Sequence, residues 1–344
     1  MSTDITINRS NNFDFLRLLF ASLVIVSHSF PLTGQPEMIG VLTNEQLSLG
    51  SFSVDCFFIM SGYLIFQSLE RSKTIVSYLW KRILRLFPAL LVLLILTLLV
   101  LPLFYRGDNI FLESSYWSYL PNGLSLYKIQ YKVNGIFETN LYPKAINGSL
   151  WSLSYEFTLY LILLIFFPIR KNRKMIKIVI VATFLISFLL LQFRPLFLSH
   201  FFHYIILQSD LFYKLATFFF AGSLLSFIDL KKYNQLFIRI GILILILLSI
   251  VFGYYQMTAP FLLPILILML ATSNTSPIST IGKKIGDISY GVYIYGFLVQ
   301  QILMNLMILQ PIQLMLISLP ITFILAYFSW HLVEEKMLKY KNVI

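Results

Sequence analysis

The stretch Asn12-Phe-Asp-Phe-Leu-Arg17-Leu-Leu-Phe-Ala-Ser-Leu-Val-Ile-Val-Ser-His28-Ser-Phe-Pro31 decides the fold. It is apolar for long enough to cross a bilayer as a helix, yet it carries an arginine and a histidine. Eleven residues make three turns plus about 20°, so both side chains face the same way, roughly 16 Å apart along the axis. Ionisable groups inside membrane helices face a cavity, a partner or a pathway. Arg17 and His28 therefore read as two stations along one site that runs across the membrane.

The rest of the chain has the composition of that setting. Of its 344 residues 58% are hydrophobic and 12% charged, and the mean hydropathy is +0.80, far from the balance of a soluble domain. The expected fold is all-α: one polytopic membrane helix bundle over 1–344. About ten transmembrane helices are expected, near 13–30, 51–66, 78–104, 149–168, 176–192, 212–228, 238–254, 261–272, 289–309 and 312–332. Lysines and arginines crowd every second loop and both tails, 20 of the 26 falling on one side. Both termini are therefore expected in the cytoplasm. Inner-leaflet contact accounts for the net charge of +11, so no nucleic acid is needed as a partner.

The first span is not expected to be a removable leader, because Asp14 and Arg17 interrupt the apolar run and no small-residue cleavage site follows. A lone Cys56 excludes an intrachain disulfide and a cysteine metal cluster, and reads as an inert buried thiol. Neither a glycine-rich phosphate loop nor an internal repeat is present. The one long non-spanning stretch is 105–148, where Tyr116, Trp117, Tyr119, Tyr127 and Tyr131 suit an interfacial or cavity-covering position.

Orientation sorts the polar residues by depth. His28, Asp55 and Glu156 fall in the outer half and could share a proton, whereas Arg17, Arg82 and Arg85 fall near the cytoplasmic face. Guanidinium forks hold phosphate oxygens bidentately, so the arginines suit a polyanionic cytosolic ligand. An imidazole backed by a carboxylate suits removing a proton from a hydroxyl. Each residue also has a plainer reading. Arg17 could snorkel and pair with Asp14, Arg82 and Arg85 could only set topology, and Glu156 could pair structurally. Asp55 could cap its helix, Ser61 and Gly62 could serve close helix packing, and His28, His200, His203 and His331 could sit at the interface.

Five blocks in order give the chain a resemblance. Phe13-Asp-Phe-Leu-Arg17 through His28, Ser53-Val-Asp-Cys-Phe-Phe-Ile-Met-Ser-Gly-Tyr-Leu-Ile65, Arg82-Ile-Leu-Arg85-Leu-Phe-Pro88, Ser149-Leu-Trp-Ser-Leu-Ser-Tyr-Glu156 and Gly286-Asp-Ile-Ser-Tyr-Gly-Val-Tyr293 resemble the acyltransferase-3 family of membrane O-acyltransferases. The resemblance implies a multi-pass protein of a bacterial inner membrane that transfers an acyl group, commonly acetyl, from acyl-CoA. The implied acceptor is a hydroxyl of a cell-envelope glycan or lipid-linked saccharide. His28 would act as base or first take the acyl group itself, Glu156 would orient and charge-balance its imidazolium, and Asp55 is a further candidate. Arg17, Arg82 and Arg85 would hold the acyl-CoA phosphates, and no metal is required. The chain departs from the family at Gly296, where a histidine is common, and at Glu335-Lys336-Met337 in place of Glu-Arg-Pro. Its length suggests no fused esterase-like domain. A transporter or flippase for an envelope lipid or sugar, and a non-catalytic membrane scaffold, are the competing readings.

Overall fold

The structure, a computed structural model, describes residues 11–343. It is helical, and among the described residues the only β pairing is the isolated bridge between Tyr105 and Ile136. A helix lies on each of the ten apolar stretches: α1 (Phe13–Leu32), α2 (Leu49–Arg71), α3 (Ile75–Val100), α4 (Trp151–Ile165), α5 (Arg173–Phe193), α6 (Ser209–Leu225), α7 (Leu236–Val251), α8 (Tyr255–Thr272), α9 (Ser289–Leu306) and α10 (Pro311–Ser329). Their ends are set by local chemistry. The Ser48, Thr74 and Asn172 side chains accept the Ser51, Ser77 and Met175 amides at the starts of α2, α3 and α5, and Pro311 opens α10 inside a Gln310/Gln313 capping box.

Among the described residues six helical stretches are long and apolar enough to cross a membrane: Phe13–Leu32, Leu49–Arg71, Ile75–Phe104, Arg173–Phe193, Tyr255–Thr272 and Pro311–Asn342. Helices α4, α6 and α7 are shorter, at 15, 17 and 16 residues. Helix α9 has 18 residues but carries Gln300, Gln301 and Asn305. Its position explains that polarity. Packed against α1 and α10 and buried along most of its length, it meets protein where a peripheral helix would meet lipid. Gln300 donates to the Ile25 carbonyl and to Ser29 of α1, each at 2.8 Å, and Gln301 donates to the Tyr142 and Ala145 carbonyls. These buried donors have partners inside the bundle, although Gln300 Oε1 is buried without one among the described residues.

The stretch 105–148 forms short 3-10 turns, the helix Ser114–Leu124 and irregular chain. Its aromatic residues divide. Tyr116 and Tyr119 join the core and Trp117 is exposed, whereas Tyr127 and Tyr131 line a cavity.

Two close contacts hold the bundle's centre. A Cβ on Gly62 of α2 would lie 1.8 Å from the Phe219 carbonyl oxygen, and one on Gly222 of α6 would lie 2.1 Å from that of Ile59. The α2 and α6 backbones therefore touch where only hydrogen fits, which is how small residues bring membrane helices together. Gly62 serves this packing. Ser61 does not, since its hydroxyl turns toward Glu156 and Tyr160. Gly296 has a similar reason: a Cβ there would meet Ile25 of α1 at 2.6 Å, leaving no room for a histidine.

Gly62→Ala should destabilise the protein by at least the ~1–3 kcal/mol of an overpacked core, because backbone cannot rotate aside as a side chain can. Thermal unfolding in detergent should show a lowered midpoint. Gly241→Ala, on α7 with nothing among the described residues within 4 Å of the added methyl, should leave it unchanged. Equal midpoints for the two variants would refute the close-contact account.

Candidate active site

The arginines gather around a residue that is remote in sequence. Asp287, in the loop that leads into α9, places Oδ2 3.2 Å from Arg17 Nη1 and 2.7 Å from Arg85 Nη2, and its Oδ1 accepts from Ser289 Oγ at 2.5 Å. Burial works to raise the Asp287 pKa, but Arg85 and Arg17 outweigh it and bring the carboxyl down to about 2. It is thus ionised at neutral pH and clamps α1, α3 and the start of α9 together. Asp14 stands farther off, 4.0 Å from Arg17.

Arg82 behaves differently from its neighbour three residues on. It lies over the rings of Tyr78 and Tyr160, 5.8 Å from each centroid, and its one hydrogen bond, to Ser68, is long at 3.4 Å. Its buried Nε has no partner, and no carboxylate lies in ion-pair contact with it among the described residues. Arg17, Arg82 and Arg85 open on one cavity of about 400 Å³, which Arg71, Lys81 and Lys341 also line. Against these six basic residues stand two acidic ones, Asp287 and Glu156. The cavity therefore carries a positive excess.

Glu156, expected beside His28, lines this cationic cavity and not the one that holds the histidine. Its carboxylate accepts from Ser61 Oγ at 3.0 Å and from the Tyr160 hydroxyl in a short contact. Counting residues gives depth along a helix but not the direction a face points, and the α4 face bearing Glu156 points toward the arginines.

His28 lies in a second cavity, also about 400 Å³, with Asp55, Glu37, Lys214, Ser51 and Trp151. Its ring rests edge-on against Phe297, 5.1 Å between centroids, and its Nδ1 is buried without a partner among the described residues. Asp55 is not a cap, because Ser48 caps α2. One Asp55 oxygen meets Lys214 Nζ at 3.0 Å, the other is buried without a partner, and Lys214 also donates to Ser51 Oγ at 2.6 Å. His28 Nδ1 and the second Asp55 oxygen are thus buried polar atoms left unpaired among the described residues, each at a desolvation cost, on two residues that line the same cavity. Glu37 is occupied structurally, accepting from Ser27 Oγ and the Leu49 amide.

Val54 and Tyr293 line both cavities, so the two are neighbours across a neck walled by these residues of α2 and α9. Tyr293 is fixed there by its hydroxyl, 2.6 Å from Ser152 Oγ. His331 pairs with Glu335 at 3.2 Å, and among the described residues no group of three His, Cys, Asp or Glu side chains is placed to hold a metal ion. Cys56 is free and buried.

Sequence reasoning missed three members of the site. Lys214 sits within an apolar helix, a signal that was legible, but its charge falls easily into a loop count. Asp287 and Tyr293 stood inside a quoted motif, yet nothing local ties Asp287 to Arg17 and Arg85, 270 and 202 positions away, or Tyr293 to Ser152, 141 away.

Comparison with known proteins identifies the family of the chain. The model of an acyltransferase domain matches residues 10–331. An O-acetyl transferase of Shigella phage Sf6 is 31% identical over 342 residues, covering 96% of this chain and 97% of its own. Nodulation protein 10 of Rhizobium leguminosarum bv. viciae is 29% identical over 177 residues, 50% of this chain and 48% of its own. No solved structure matches.

Removing one partner of a buried ion pair costs about 3–5 kcal/mol. Asp287→Asn should approach the lower figure, because the three side chains keep 15–24% of their surface exposed. A lowered thermal midpoint in detergent is expected, whereas Asp14→Asn, at 4.0 Å and 44% exposed, should change it little. Indistinguishable midpoints would show that the clamp does not hold these helices.

Proposed function

The chain belongs to the acyltransferase-3 family, and on that footing we propose that it moves an acetyl group from cytosolic acetyl-CoA to a hydroxyl of a cell-envelope glycan or lipid-linked saccharide across the membrane. That it is an acyltransferase follows from the family, so the transporter and scaffold readings give way. Acetyl is favoured by the name of the phage relative, an O-acetyl transferase. The crossing geometry rests on ten spans in a single domain, with both termini cytoplasmic in a bacterial inner membrane. Its support is the 20-to-6 division of the basic residues.

One observation carries the reading: a cationic cavity and an imidazole cavity that share Val54 and Tyr293 as walls. The donor's phosphates would enter among Arg17, Arg82 and Arg85. Arg82 offers the guanidinium with no carboxylate already on it, while Asp287 holds the other two in place. The thioester would extend to the neck. From the far cavity the acceptor hydroxyl would give its proton to His28 as its oxygen attacks the thioester carbonyl. The C–S bond then breaks, the ester forms, and the departing sulfur takes the proton back from the imidazolium. Asp55, which lines the same cavity as His28 and is paired with Lys214, would be the carboxylate that balances charge on the imidazolium. Glu156 would act from the donor side, holding the Tyr160 and Ser61 hydroxyls. Bound acyl-CoA, the glycan acceptor and membrane lipids are then the partners.

Purified protein in detergent, given labelled acetyl-CoA and envelope polysaccharide stripped of O-acetyl groups by alkali, tests this. His28→Ala should lower transfer ~10²–10⁴-fold, the usual contribution of a general base. Arg82→Ala should chiefly raise the KM for acetyl-CoA, and Arg82→Lys should restore it only in part because the ammonium lacks the planar fork. Wild-type transfer by the His28 variant would remove it from the chemistry, and an Arg82→Ala defect confined to the acceptor KM would reverse the assigned direction.

A further inference from the structure

The geometry points to a saccharide subsite in a third cavity, which rests on the reading of the chain as a glycan acyltransferase. This cavity, about 620 Å³, is lined by Tyr127, Tyr131, Tyr142, Trp151 and Tyr155. Its volume lies within the range of small-molecule sites, about 300–1,000 Å³. It adjoins the space where His28 sits, because Trp151 and Leu211 form walls of both cavities. Phe297 stands between the two, its ring 5.1 Å from that of His28 and 6.3 Å from that of Tyr142. An occupant of the third cavity would therefore lie across a single wall from the space of the histidine.

The lining specifies the class of occupant. A pyranose presents a face of C–H groups bordered by hydroxyls, and tyrosine and tryptophan match it with a flat apolar body and a polar tip. Lys132 is the one charged residue in the lining, which disfavours a cationic ligand and accepts a neutral or acidic sugar. The Tyr131 and Tyr142 hydroxyls have no partner among the described residues, and both side chains are accessible, at 39% and 45%. They are free to meet a ligand's hydroxyls.

The remaining wall is held in place before any ligand arrives. Tyr127 OH lies 2.9 Å from Thr158 Oγ1, and Tyr155 OH accepts the Gln208 amide at 2.9 Å. The Tyr131 carbonyl accepts the Ile146 amide at 2.8 Å. Gln301 of α9 donates to the carbonyls of Tyr142 and Ala145, so the helix that carries Phe297 and Tyr293 also fixes this wall. A polar network of this kind lowers the ordering cost of binding.

The test is transfer kinetics in purified protein with labelled acetyl-CoA and, as acceptor, lipid-free fragments of alkali-treated envelope polysaccharide. Tyr131→Ala and Tyr142→Ala should each raise the acceptor KM ~3–10-fold, the range expected for losing one aromatic contact, with the acetyl-CoA KM unchanged. Tyr131→Phe should recover most of the loss, because it keeps the ring. Unchanged acceptor KM in both alanine variants, or an equal rise in the acetyl-CoA KM, would overturn the subsite while leaving the acyltransferase reading intact. A defect seen only with lipid-linked acceptor would assign the cavity to the lipid and overturn it as well. Wild-type protein that consumes acetyl-CoA yet acetylates no saccharide would instead overturn the reading on which the subsite rests.

Discussion

The bundle depends on one carboxylate shared by two guanidiniums. Asp287 reaches Arg17 on α1 and Arg85 on α3 from the loop before α9, and so ties three distant parts of the chain at one end. Helix α1 then runs to the other end, where His28 emerges eleven residues later. Gln300 of α9 holds that end of α1 through Ile25 and Ser29. The two stations on α1 are thereby fixed at both ends against the same central helix.

Charge inside an apolar bundle has few places to go, and this constraint explains the division into cavities. A guanidinium or carboxylate facing lipid would be heavily penalised, so each turns toward a partner or a water-accessible space. The arginines and Glu156 turn toward one cavity, and His28, Asp55 and Lys214 toward the other. The α2–α6 contact at Gly62 and Gly222 brings Lys214 of α6 within reach of Asp55 on α2. Tyr293, on the α9 face between the two cavities, borders each of them.

Much of this was legible in residues alone, because apolar runs and helical periodicity are local properties. Each of the ten apolar stretches holds a helix, and the eleven-residue spacing of Arg17 and His28 sets them at different levels of α1. Depth also brought Asp55 to the level of His28. What residue counting could not supply was azimuth: Glu156 has the depth for the histidine but faces the arginines. Nor could it supply the Asp287 clamp, whose partners lie 270 and 202 residues away. The polarity of α9, with Gln300, Gln301 and Asn305 in its apolar run, becomes intelligible once the helix is seen enclosed by protein.

The central claim is that one route joins the arginine cavity to His28 through the neck at Val54 and Tyr293. The most direct measurement is an electron cryomicroscopy structure with a non-hydrolysable acetyl-CoA analogue bound. The account predicts phosphate density among Arg17, Arg82 and Arg85, with the acyl end at Tyr293 facing His28. Phosphate density beside His28 and Lys214, or an acyl end that stops short of the neck, would contradict it.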